Sequence, residues 1–438
     1  MISFVVAALV AATPISLEDV RAASRHATVA QLSELDRQRA AEQVTVARSG
    51  LLPQVGLNLG TGFIAQGPRR FRENVQVSPG VFEEQTVDID STATGGFRLS
   101  VGVRQLLFDA TTWANLSVAN AQFDAAAAQA AEDRLNAELE GIRRFYDLIR
   151  AQKTQGVIEQ RVKSTAELAE RAEALFQAGR RRKEDAIAAR INLGNDRTAQ
   201  ARQQVVITQA SALLAAYIGR SPAELLVAQE GQAVGGGSEV PVFEDALAQA
   251  RENRPQLAAM EALTQAAREA TAGARGAYLP SADVSVSYDR ASPQLGSFFD
   301  LTRQHSVSAN LGIRWDIFNG FVTNAQVGQA KLAEQRALLQ LEQARRDVEA
   351  DLKTRLDSLR VAQQVTTIAE DNLKLAQDNL NLAQTRFEAG AGSTLEIRDA
   401  QDKHATAELG VIESRIDLEL ARAGLERAIG AFGPGVAQ

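Results

Sequence analysis

The chain has 438 residues, enough for two or three ordinary domains, and a net charge of −7. The acidic balance argues against nucleic acid as a partner, because a phosphate backbone is bound by a basic surface. Cysteine is absent, which excludes disulfides, thiolate chemistry, cysteine metal sites and a lipid-modified N-terminal cysteine. Hydrophobic residues make up 45% but aromatics only 5%, so alanine carries much of the apolar share. Alanine favours helix and lets helices approach closely while filling little core volume.

Residues 1–12 hold a short apolar run, Ile2 to Val10, followed by Ala11-Ala12-Thr13-Pro14. This reads as an export signal with a small-residue cleavage site. The run lacks the usual basic start, so a mis-assigned start codon with part of the signal missing is the other reading. No stretch of eighteen apolar residues exists, so no transmembrane helix is expected, and entry into a membrane would be as strands.

The first repeat spans 13–225. Leu17 to Ser49 reads as one amphipathic helix with Glu18 and Asp19 in its first turn, where the helix dipole favours acids. Leu51-Leu52-Pro53 ends it. A strand follows at about 53–63, with Val55, Leu57, Leu59 and Phe63 on one face. A second strand at about 97–108 sets Phe97, Leu99, Val101 and Val103 against Arg98, Ser100, Gly102 and Arg104. Between them, Gly67-Pro68, Ser78-Pro79-Gly80 and many charges read as a long solvated loop. From Thr112 to Gly219 runs a long helical hairpin that turns at Phe176-Gln177-Ala178-Gly179.

After a linker at 226–241, the second repeat spans 242–438 and rewrites the first. Phe243-Glu244-Asp245-Ala246 echoes Leu17-Glu18-Asp19-Val20, and Tyr278-Leu279-Pro280 echoes Leu51-Leu52-Pro53. Strands at about 281–289 and 305–317 follow. Phe318-Asn319-Gly320 echoes Phe108-Asp109-Ala110, and Ala428-Ile429-Gly430 echoes Tyr217-Ile218-Gly219. The second hairpin runs from about Phe321 to Gly430. Its first arm contains one glycine, Gly328, and no proline; as one helix it would reach roughly 100 Å at 1.5 Å per residue. Leu135, Leu139, Ile142, Tyr146 and Ile149, like Leu352, Leu356 and Leu359 in the second copy, step by three and four as coiled-coil seams do. These stripes are packing.

Four strands of about ten residues, apolar on one face and polar or glycine on the other, carry the pattern of outer-membrane barrels. Four strands cannot close, and an open edge in lipid leaves backbone groups unpaired, so the chain is expected to oligomerise to eight, twelve or sixteen strands. Trp113 and Trp315 suit an interfacial belt. The plainer reading is a soluble sheet domain capped by coiled coils.

In this duplication, in the Leu-Pro junctions at 52–53 and 279–280, in the Phe-Asp/Asn turns at 108–109 and 318–319, and in the tip from Gly390 to Gln401, the chain resembles the TolC family of outer-membrane efflux and secretion channels. The resemblance covers Leu17 to about Gly433. It implies a mixed, mainly α fold: duplicated coiled-coil hairpins forming an α-helical barrel, with four strands per chain entering a homotrimeric twelve-stranded transmembrane β-barrel. It implies contact with outer-membrane lipid, a periplasmic adaptor (membrane fusion) protein and an inner-membrane transporter that open the periplasmic tip. It also implies that Glu396 and Asp399 ring the aperture and select cations. Read without it, both are ordinary helix-start acids.

In the family, the closed tip is held by a tyrosine and an arginine of the second hairpin that reach an aspartate at the first tip. The aspartate position is Asp185. The tyrosine position holds Phe387 and the arginine position Gly392, so the familial latch is absent. Gly390 and Ser393 complete this tip. Arg398 cannot share one narrow stripe with both acids at about 100° per residue; it faces away or partly neutralises them. At the first tip, Gly179 is followed by Arg180-Arg181-Arg182-Lys183. This basic cluster is a docking or substitute-latch element reaching Glu396, Asp399 or Asp402, or a solvated loop whose charges contribute little.

No enzyme is expected. His26, His305 and His404 lack metal-ligand spacing, and no phosphate loop or nucleophile elbow appears, so no cofactor or metal is assigned. The alternatives to a channel are a periplasmic coiled-coil adaptor, which would show one hairpin between β domains, and a structural coiled-coil protein, which has no need of four barrel-type strands.

Overall fold

The structure, a computed structural model, describes residues 13–180, 182–229, 240–292, 305–389 and 391–431. The residues read as an export signal, most of the linker, Arg181 and Gly390 lie outside these. The described chain falls into two units.

One unit, formed by 41–122 and 265–336, holds the barrel-type strands. These are β2 (Gln54–Gln66), β5 (Thr92–Phe108), β7 (Ser281–Ser292) and β8 (His305–Arg314). They form one antiparallel sheet in the order β2-β5-β7-β8, so the two repeats meet at the central β5–β7 pair. Register places the alternating residues in rows across the sheet: Leu57 opposite Val101, Val101 opposite Tyr288, and Tyr288 opposite Val307. Val55, Leu57, Leu59, Phe63, Val307, Leu311 and Ile313 all stand exposed. The other face is a polar ladder. Ser100 donates to Asp289 (2.6 Å), Ser287 donates to Asp289 (2.7 Å) and meets Ser308 (2.9 Å), and Arg104 pairs with Asp283 (3.2 Å). A soluble sheet would cover its apolar face against a second layer; this one leaves it bare.

The stretch read as a long loop is instead a second antiparallel ribbon, β3 (Arg69–Ser78) with β4 (Val81–Ile89). Ser78-Pro79-Gly80 is its hairpin turn, with Gly80 at a φ of +83° that favours glycine. Charged residues make its cross-strand pairs, Arg70 with Asp88 and Arg72 with Glu84, so the strands alternate without burying a face. The fourth long strand ends at Arg314, opposite the start of its partner strand β7 at Ser281, rather than near 317, and the chain then turns through Gly320 and Phe321, both at positive φ.

The other unit contains the greater part of the long helices. Helix α1 (Leu17–Ser24) and α2 (Thr28–Ser49) replace the single expected helix; the break at Arg25 to Ala27 is a tight turn with no glycine or proline to announce it. Ser16 and Asp19 form a capping box at the start of α1. A short strand β1 (Thr13–Ile15) runs parallel to β6 (Leu226–Ala228), which stands at the head of the stretch read as linker. Helix α3 (Ala110–Gln177) and α4 (Lys183–Tyr217) make the first hairpin, at 68 and 35 residues. After α5 (Phe243–Asn253) and α6 (Pro255–Gly276), α7 (Val322–Glu388) and α8 (Thr394–Ala428) make the second, at 67 and 35. Matched lengths are the duplication seen as structure. Both return arms end on a glycine in the left-handed region, Gly219 and Gly430, at matching positions.

The expected seams are core. Leu139, Ile142, Tyr146 and Ile149 pack with Val20, Leu214 and Ile416. Leu352, Leu356 and Leu359 pack with Ala246, Leu257 and Leu425. Gly141 allows α1 to lie close on α3, since a Cβ there would stand 2.7 Å from the Ser24 Cβ.

Candidate functional site at the hairpin tips

Helix α7 stops because its C-terminal carbonyl is used twice: the amides of Ala391 and Gly392 both donate to the Arg386 oxygen at 2.9 Å. That fold-back brings Gly392 against the helix end, where an added Cβ would lie 3.0 Å from the Phe387 nitrogen. Any side chain at the arginine position of the familial latch would therefore crowd the backbone of this turn. Phe387, at the tyrosine position, is buried with Leu168, Ala383, Ile397 and Ala400. It is a core residue that joins the second hairpin to Leu168 of the first. Ser393 caps α8: in extended backbone, its hydroxyl accepts from the Glu396 amide at 3.2 Å.

The two acids lie on the exposed side of α8. Glu396 has the Arg386 guanidinium at 3.9 Å, and Asp399 accepts from the Lys403 ammonium at 2.6 Å. Lys403 and Arg386 are thus the cations beside these acids, and the sequence reading leaves both out. The i,i+4 spacing from Asp399 is the signal that flags Lys403.

Arg398 faces away from both acids, into the first hairpin. Its guanidinium forks onto the Asp196 carboxylate of α4, Nη1 to Oδ2 at 2.9 Å and Nη2 to Oδ1 at 3.1 Å. Thr165 of α3 donates to the same carboxylate at 2.8 Å, and Arg161 of α3 lies 2.9 Å from it. Arg161 also pairs with Asp402 (2.8 Å), which Arg398 reaches at 3.3 Å. The Asp196 side chain is 4% exposed and that of Arg398 16%. Burial pushes the Asp196 carboxyl up, but the hydrogen bonds from Arg398 and Thr165 and the field of Arg161 outweigh it and hold the group below the usual carboxylate range. Apart from the i,i+4 spacing of Arg398 and Asp402, no local spacing announces this network, whose members come from three helices.

At the first tip, Gly179 has a φ of +70°, and the Arg180 amide donates to Leu175 at 2.9 Å to close the helix. Arg180, Arg182 and Lys183 are exposed, and Arg182 lies 3.7 Å from Glu184. Among the described residues, Glu396, Asp399 and Asp402 take the partners named above. Asp185 is half-buried and accepts from the Thr394 hydroxyl at 3.3 Å, so the aspartate position touches the second hairpin through a threonine. In the strand-bearing unit, Trp113 and Trp315 are both exposed, and the Trp315 indole donates to the Tyr278 carbonyl at 3.0 Å.

Among the described residues no group of His, Asp and Glu could hold a metal ion, and no helix is long and apolar enough to cross a membrane. The family model described as outer membrane efflux protein matches residues 21–220 and 246–431. Protein CyaE of Bordetella pertussis is 33% identical over 223 residues, 51% of this chain and 47% of that protein; the chain thus matches less than half of that relative's length. Outer membrane efflux protein BepC of Brucella suis is 21% identical over 89% of this chain and 79% of its own. Among solved structures, CusC, described in terms of transmembrane channel formation, has a TM-score of 0.78 at 17% identity and covers 94% of this chain and 92% of its own.

Proposed function

Because the chain belongs to the outer membrane efflux protein family, we propose that it is one protomer of a homotrimeric channel in the outer membrane, extending into the periplasm. It serves as the exit duct of a tripartite efflux pump or a type I secretion system. The observation that carries this reading is the four-stranded sheet, with an exposed apolar face and with β2 and β8 as its outer strands, each paired on one side only among the described residues. In lipid the apolar face is matched, and the open edges demand further copies. Three copies give twelve strands, three times the four seen here, with the Ser, Asn and Asp ladder lining water and Trp113 and Trp315 at the interfacial belt.

A second feature supports assembly from several chains. Helix α7 carries Val361, Ile368, Leu375 and Leu382 at seven-residue intervals, between 55% and 67% exposed. A heptad seam left in water needs a partner helix, and a neighbouring copy supplies one. Two hairpins sharing one sheet do not suit a periplasmic adaptor, which leaves that alternative without support.

Transport through such a duct needs no cofactor in this chain; an inner-membrane transporter supplies the energy, and a periplasmic adaptor meets the tips. The exposed Arg180, Arg182 and Lys183, with Arg181 between them in sequence, give the first tip basic charge for that contact. Glu396 and Asp399 from three chains place six carboxylates at the narrow end, a negative field that favours cations. Gly179, Asp185, Phe387, Gly392 and Ser393 shape the tip around them. In planar bilayers the purified protein should give a small cation-selective conductance, and Glu396→Gln/Asp399→Asn should lower the cation preference several-fold. A protein that stays monomeric in detergent and never conducts would refute the duct.

A further inference from the structure

The acids at the tip stand on a helix whose rotation has to be fixed for them to face one way. With Arg398 at zero and about 100° per residue, Ala405, Gln401, Ile397 and Ala400 fall successively within about 160° on one side, and all four are buried. Asp399, Lys403 and Glu396 fall between about 100° and 160° on the other side, and their side chains are about half exposed or more. Arg398 sits at the boundary between these arcs, with its guanidinium drawn inward by Asp196.

Two kinds of contact hold this setting. The apolar contacts of Ile397 and Ala400 with Phe387 and Leu168 are non-directional and tolerate a small roll of the helix. The forked pair does not, because a guanidinium matches a carboxylate only in one plane and one approach. Asp196 is itself fixed by Thr165 and Arg161, so the fork is anchored in both helices of the first hairpin.

We propose that Arg398 is a positioning residue for the aperture: through Asp196 it fixes the rotation of the first turns of α8 against the first hairpin, and so directs Glu396 and Asp399 together away from it. The inference rests on the duct reading for its consequence in selectivity, but not for its geometry. A buried ion pair replaced by apolar groups of similar size is often neutral for stability. Orientation and stability therefore separate in Asp196→Leu/Arg398→Leu.

The test uses the full-length protein in two measurements. In bilayers, the double Leu variant should lose cation preference several-fold while its trimers melt as the wild type does. Independently, because the chain has no cysteine of its own, Asp399→Cys can be labelled with a charged thiol reagent. Its labelling rate should change several-fold when the double Leu substitution is added, whereas Arg398→Lys, which keeps the charge without the fork, should give an intermediate rate. Wild-type selectivity and wild-type labelling in the double Leu variant would overturn the proposal. So would a drop in selectivity accompanied by an equal loss of thermal stability, which is the mark of a merely structural pair. If Glu396→Gln/Asp399→Asn leaves selectivity untouched, the aperture role of these acids fails instead, and the labelling rate still decides the role of Arg398.

Discussion

The seam on α7 offers a direct measure of how the chains associate. Val361, Ile368, Leu375 and Leu382 leave more than half of their surface in water in the single chain. Full burial of such a side chain stabilises by about 1.5–3 kcal/mol, so covering the exposed part is worth about 1–2 kcal/mol each. Truncating two of them, Ile368→Ala/Leu375→Ala, should weaken each interface by about 2 kcal/mol and a closed ring of three by about 6 kcal/mol, or roughly 10⁴-fold in the trimer–monomer equilibrium. Sedimentation in detergent, with heat-resistance of the trimer band on gels, reads this out. Leu352→Ala is the contrast: that residue is fully buried within the chain, so it should cost about 2–5 kcal/mol of protomer stability rather than of association. An unchanged trimer population in the double Ala variant, with the protomer still folded, would show that this seam faces something other than a second copy.

Two further outcomes concern the packed unit near α1. Glu426 on α8 is half-buried, and its carboxyl is pushed up by burial and by Glu138 and Glu419, with Arg21 opposing; since the folded pKa exceeds the unfolded one, stability is greatest below the unfolded value and falls as pH rises through the folded one. Glu426→Gln should therefore melt higher than wild type at neutral pH and equally in acid, as thermal denaturation across that range would reveal, and an identical pH profile would contradict the assignment. Gly141→Ala should destabilise despite gaining about 1 kcal/mol of helix propensity, because overpacking against Ser24 costs about 1–3 kcal/mol; Ser24→Gly removes the clashing atoms and should restore the loss, as thermal melting of the pair would register.

Periodicity made most of the chain legible. The duplication, the two hairpins and the four long strands were all readable because one continuous apolar face imposes a repeat of 3.5 or 2 on the sequence. The β3–β4 ribbon was not, since its rows of Arg, Glu and Asp bury nothing and so leave polarity without a face to read. The break at Arg25 to Ala27 escaped for want of a glycine or proline. At the tips, Phe387 and Gly392 were visible as departures from the family pattern. The reason for Phe387, a core contact with Leu168, is tertiary, and that for Gly392 is a local fold-back onto Arg386 that no turn motif spells out. Arg398 could be excluded from the acidic stripe by angle alone, but its partner Asp196 lies 202 residues away, beyond any local signal.

The order of the sheet has a consequence for how the chain folds. The hairpin helices close with neighbours in sequence and can form as soon as each arm is made, whereas the central β5–β7 pair joins residues such as Ser100 and Asp289, 189 positions apart. Non-local pairing is slow because loop closure has to precede it. The helical hairpins therefore form early and the sheet late, after β7 has been synthesised. Until then β5 has only β2 beside it, and this two-stranded piece is too small to persist alone in water. The sheet that carries the exposed apolar face is thus the last part of the chain to gain its full pairing, and its completion waits on both repeats.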